Sequence, residues 1–84
     1  MASITFPFVG DIFSGYVIAK KDDDASPNFY GYVRADGSWY ILRETISAGN
    51  DSYEYANGSR DFDTNWSNRV GLSYLFYHDL TSLP

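Results

Sequence analysis

The sequence predicts an α+β fold, a small antiparallel β-hairpin sheet followed by a C-terminal amphipathic helix. Three stretches carry that expectation: Asp36-Gly37 between two alternating apolar runs, Asn57-Gly58 between two further runs, and a helical arc of apolar residues over 62–80. An all-β small sandwich or barrel is the alternative, because Val70, Leu72, Tyr74 and Phe76 also alternate and Gly71 costs a helix about 1 kcal/mol relative to alanine.

The 84 residues make one domain, divided into an extended N-terminal segment and loop (1–29), β-hairpins (30–60) and a final helix or strand (61–80). In residues 4–19 two short apolar runs, "ITFPFV" and "YVIAK", read as extended or edge strands, since Pro7 has no N–H for a central ladder. "KKDDDASPN" follows as a solvated loop by its charge run and its Ser-Pro-Asn. Placed as a two-residue turn, Asp36-Gly37 predicts strands over about 29–35 and 38–44, with Arg34 opposite Trp39, Val33 opposite Tyr40, Tyr32 opposite Ile41 and Gly31 opposite Leu42. Val33, Ala35, Tyr40 and Leu42 then form the smaller, aliphatic core face. Tyr30, Tyr32 and Arg34 face outward with Trp39, Ile41 and Arg43.

"SAGNDS" reads as a loop, and Asn57-Gly58 as a second turn that brings Tyr53 and Tyr55 near Arg60 and Phe62. Steps of about 100° collect Phe62, Trp66, Val70, Leu72, Phe76, Tyr77 and Leu80 into one arc. Asp61 or Asp63 is placed to cap the helix start.

Composition narrows the function. A net charge of −5, with the one basic pair Lys20-Lys21 running into Asp22–Asp24, argues against nucleic acid and anionic membranes. The apolar start is broken by Pro7, Gly10, Asp11 and Gly15, which argues against membrane insertion. With no cysteine and one histidine, neither a metal nor another cofactor is expected. Catalysis is not expected either. His78 is the sole candidate base near neutral pH, no serine sits in a nucleophile turn, and Asp61 and Asp63 read as caps rather than an acid pair. The aromatic share, 19% with eight tyrosines, exceeds what so small a core can take up and points to protein contact. The interface set is Tyr30, Tyr32, Trp39, Arg43, Trp66 and Arg69, with Arg69 one helical turn from the Trp66 indole.

"YVRADGSWYILRE" followed by "YEYANGSRDFDTNWSNRVGLSYLFY" resembles a pattern in small virion-associated structural proteins of tailed bacteriophages, an Asp-Gly hairpin ahead of a Trp/Asn-Arg/Leu/Tyr segment. It covers residues 30–77 and carries no catalytic signature. The resemblance implies a non-enzymatic virion subunit on the tail, baseplate, fibre attachment or capsid surface, made in the host cytoplasm. Its implied partners are other virion proteins, met as a homo-oligomer or by docking on a larger assembly. A carbohydrate or host-surface binding module, with Tyr30, Tyr32 and Trp39 stacked on sugar faces, is the alternative function.

Overall fold

A computed structural model describes residues 14–80. Four strands run in chain order as an antiparallel meander: β1 (Val17–Asp22), β2 (Asn28–Val33), β3 (Trp39–Ser47) and β4 (Asn50–Gly58). A helix α1 (Phe62–Ser67) and a 3-10 turn (Arg69–Gly71) follow, and the chain then returns to the sheet edge as β5 (Leu75–Phe76). The expected "ITFPFV" segment and the breaks at Pro7, Gly10 and Asp11 lie outside the described residues.

The β2–β3 hairpin forms where Asp36-Gly37 predicts it, with a different turn. Gly37 N–H donates to the Arg34 carbonyl at 2.9 Å and Arg34 N–H to the Ser38 carbonyl at 2.8 Å, which makes a three-residue loop of Ala35, Asp36 and Gly37. Only Gly37 takes a positive φ there, 95°, whereas Asp36 does not. This is a type I turn closed by a left-handed residue, a geometry in which glycine at the last position avoids a Cβ clash. The Asp36 carboxylate accepts the Ser38 N–H at 3.0 Å and Arg34 Nε at 3.3 Å. Those bonds, Ser38 first, hold its pKa down to about 2.

The extra loop residue slips the register by one. Val33 pairs with Trp39, Tyr32 with Tyr40, Gly31 with Ile41 and Tyr30 with Leu42. Because strand side chains alternate with period two, a one-residue slip exchanges the faces of β3 against β2. Val33 keeps its expected place toward the core and Tyr30 and Tyr32 theirs away from it, whereas Trp39 and Ile41 join the core and Tyr40 and Leu42 leave it: Phe29, Trp39, Ile41, Ala56 and Trp66 are its buried members, with Val33, Phe62, Leu72 and Tyr74 packed against them. The second hairpin also differs. Its turn is Ala48-Gly49, both at positive φ (48° and 86°), while Asn57-Gly58 ends β4 opposite Tyr40 and Trp39.

No helix spans 61–80, so the α+β expectation with a long C-terminal helix is corrected: the described residues are mostly antiparallel sheet with one six-residue α-helix. The described strands make one sheet in sequential order rather than a sandwich or barrel of the alternative kind. Asp61 precedes α1 in the left-handed region and forms no side-chain cap, although its carbonyl accepts both the backbone N–H and Nδ2 of Asn65. The helix stops because its apolar arc is needed elsewhere. Arg69 Nη1 donates to the Trp66 carbonyl at 2.9 Å, and Leu72 turns extended so that Leu72 and Tyr74 pack on the sheet while Val70 points away.

Small residues make room for α1. Ile41, fully buried, lies between Gly31 and Ala56 in the register. A methyl group on Gly31 would sit 2.7 Å from Phe62 Cζ and 3.0 Å from Trp66 Cε3, and one on Gly58 would sit 2.5 Å from the Trp39 ring. Both indoles can lie flat on the sheet only over hydrogen, and burying each such side chain stabilises the fold by about 1.5–3 kcal/mol. Gly31→Ala is expected to cost about 1–3 kcal/mol through overpacking, read as a lower urea midpoint. Gly71→Ala meets nothing within 4 Å and should stay within about 0.5 kcal/mol of the parent. Equal midpoints for the two variants would contradict this seating of α1.

Candidate functional site

The sheet face opposite α1 gathers seven of the eight tyrosines. Across the strands, Tyr32 pairs with Tyr40 and Asn57, Tyr30 with Leu42 and Tyr55, and Asn28 with Glu44 and Tyr53. Each pair shares a face by the pleat. Tyr16 meets the Tyr40 ring edge-on at 5.1 Å, Tyr32 stacks on Tyr40 at 4.5 Å, and Tyr77 meets Tyr55 edge-on at 6.2 Å. Arg34 lies 4.8 Å over Tyr16. Offset and edge-on ring pairs of this kind add about 0.5–1.5 kcal/mol beyond their area. Tyr40 is consequently buried on this side too.

Toward the far end of the same face the rings give way to a polar cluster. Glu44 accepts Asn28 Nδ2 at 3.1 Å and the Tyr30 hydroxyl at 3.5 Å. The Tyr53 hydroxyl donates to the same carboxylate, which together with burial and the charges of Glu44 and Asp51 raises the Tyr53 pKa. Burial first, then Glu44 and Asp23, raises that of Tyr30. Ile46 and Tyr53, 49% and 46% exposed, edge this end, and Ile18 and Leu75 are exposed apolar residues beside Tyr32 and Tyr55.

The expected interface set divides between the two faces. Tyr30 and Tyr32 lie on the tyrosine face. Trp39 does not: only 3% exposed, it is a core residue whose Nε1 donates to the Arg60 carbonyl at 2.7 Å, so its outward placement is corrected. Trp66 is buried at 8%. Arg43 crosses the covered face to Glu54 at 2.6 Å and lies 4.3 Å over Tyr74. Arg69 does stack on Trp66, at 4.6 Å, and reaches a carboxylate, Asp22 on β1 at 2.8 Å. It ties the first strand to the C-terminal segment, and the Tyr74 hydroxyl closes the arrangement on the Arg69 carbonyl at 2.7 Å.

Sequence reasoning passed over Glu44, Tyr53 and Asn28. The available signal was the alternation of Leu42, Glu44 and Ile46, which puts a carboxylate among apolar neighbours on one face of a long strand. His78 stacks flat on Phe76 and lies 3.6 Å from Asp79 at an exposed position. Among the described residues no three His, Asp or Glu side chains converge in a metal-binding group, and no helix is long and apolar enough to cross a membrane. No protein-family model, curated protein or solved structure matches the chain.

Two outcomes follow from the covered face. Trp39→Ala should cost about 3–5 kcal/mol and unfold much of the population, seen as loss of the β-sheet circular dichroism signal, whereas an outward Trp39 would leave folding intact. Burial pushes the Tyr74 phenol up to about 12 against the opposing charges of Arg43 and Arg69. A raised folded-state pKa stabilises the neutral form. Its contribution is complete below the unfolded value near 10 and is lost as pH rises through about 12. Urea midpoints from pH 9 to 12 should fall less steeply in Tyr74→Phe than in the parent. Parallel slopes would place Tyr74 in solvent.

Proposed function

We propose that this chain is a non-enzymatic subunit of a larger assembly that works through protein contact, with its tyrosine face as the contact surface. The observation that carries the reading is the segregation of seven tyrosines onto the sheet face opposite α1, edged by exposed Ile18, Ile46, Tyr53 and Leu75. Tyrosine supplies large, rigid area with a polar tip at little entropic cost, which suits a surface that is wet in the free chain and dry in the assembly. Small size supports the same reading. A domain this small buries about 60% of its unfolded surface and has no disulfide, so burial between chains would strengthen it. A tailed-phage particle is the setting proposed for the assembly, on the motif pattern of residues 30–77 alone. The glycan-binding alternative is weakened, because Trp39 is in the core and the Tyr32 ring already stacks on Tyr40.

Native mass measured from micromolar to millimolar concentration should show discrete oligomers and a melting midpoint that rises with concentration. A double change, Ile18→Ser with Leu75→Ser, should weaken assembly at least about tenfold, since exposed apolar anchors beside the tyrosines carry such a contact, while the circular dichroism of the monomer is kept. A monomeric mass and a constant midpoint throughout the range would contradict self-assembly.

A further inference from the structure

The Glu44 end of the tyrosine face has a chemistry of its own. Its carboxylate stands between Asn28 and Tyr53 in the register, with Tyr30 beside it. Asp23 and Asp51 add negative potential at Tyr30 and Tyr53 respectively. The neighbouring cation, Lys21, is drawn to Asp23 at 3.5 Å. Three of the chain's four arginines are engaged elsewhere, Arg43 with Glu54, Arg69 with Asp22 and Arg34 with Asp36, and Arg60 follows the end of β4 remote from Tyr53. Asn28 supplies a separate observation. Only 8% exposed, it gives its Nδ2 to Glu44 and leaves its buried Oδ1 without a hydrogen-bond partner. A buried carbonyl left unpaired costs about 1–3 kcal/mol, and a donor brought in by a ligand removes that cost.

Resting on the reading of this face as a contact surface, we propose that Asn28, Tyr30, Glu44 and Tyr53 form a recognition site for an arginine side chain presented by a basic segment of a partner protein. A guanidinium matches every element. Its planar fork donates to a carboxylate and an amide oxygen together, and its face stacks on a phenol ring. Lysine, a point charge with three diverging donors, fits the planar set less well. The chain's net charge of −5 favours a basic partner over a second copy at this end of the face.

The test titrates the full isotope-labelled chain with the peptide acetyl-Gly-Arg-Gly-Arg-Gly-amide, with a citrulline version of equal shape and no charge as control. Saturable shifts are expected at the amides of Asn28, Tyr30, Glu44 and Tyr53, with a dissociation constant in the range of about 0.1–5 mM for so small a contact. Binding should weaken at least about fivefold for the citrulline peptide, for Glu44→Gln and for Tyr53→Leu, and should fall with added salt. Both variants are first checked for the parental amide pattern. Binding unchanged in folded Glu44→Gln, shifts confined to other residues, or no response to the arginine peptide overturns the proposal. Lack of peptide binding alongside concentration-dependent assembly removes the arginine site and leaves the contact face standing. Peptide binding by a chain that stays monomeric supports the site and removes self-assembly.

Discussion

The hydrogen bonds of one carboxylate settle which way this sheet faces. Asp36 accepts the Ser38 N–H and Arg34 Nε, and so holds Ala35, Asp36 and Gly37 as a three-residue loop with its single left-handed residue at Gly37. A two-residue loop over the same Asp-Gly pair would shift β2 against β3 by one position. Every side chain of β3 would then change sides relative to β2, putting Tyr40 and Leu42 beneath the helix and the Trp39 indole in water. The energetic difference is large because the two faces are built differently. One has glycine or alanine at Gly31, Ala56 and Gly58, and the other has no such gap, with rings at Tyr30, Tyr32, Tyr40 and Tyr55 where a helix would have to lie.

That asymmetry explains why so short a helix suffices. Phe62 and Trp66 press onto Gly31, Trp39 presses onto Gly58, and the remaining half of the face is closed by Leu72, Tyr74 and two arginines rather than by more helix. Arg43 and Arg69 each combine an ion pair with a ring contact, which lets a long side chain bury its stem without stranding its charge. Arg69 acts across 47 positions of sequence, from the C-terminal segment to Asp22 on β1.

The sequence made some of this legible, and physical reasons separate what it showed from what it hid. The hairpin at Asp36-Gly37 was visible because few residues reach positive φ, but the dipeptide suits both two- and three-residue loops, so the register was not. Ala48-Gly49 is readable as part of the loop "SAGNDS" but not as a two-residue hairpin turn, because alanine seldom occupies φ near 48°. The helical arc over 62–80 signals burial at Phe62, Trp66 and Leu72 but not at Val70, Phe76 and Tyr77, which are exposed, and it does not mark a continuous helix. Phe62 and Trp66 are buried by α1, and Leu72 and Tyr74 by extended chain, a combination that helical and strand periods both partly fit. The Arg69–Trp66 stack needed only local spacing and was readable. The Glu44 cluster depended on which residue of β4 lies opposite it, which no local pattern states.

Among the described residues the sheet therefore separates its rings: Phe29, Trp39, Phe62, Trp66 and Tyr74 on the helix side, the other seven tyrosines on the opposite face, with a carboxylate and an unpaired amide oxygen at one end. Both the core and the contact surface depend on the hairpin register, and cross-strand nuclear Overhauser contacts along β2 and β3 measure it directly. Backbone contacts joining Tyr32 to Tyr40 and Gly31 to Ile41 are the predicted result. Contacts joining Tyr32 to Ile41 and Gly31 to Leu42 would contradict it, and with it the assignment of both faces.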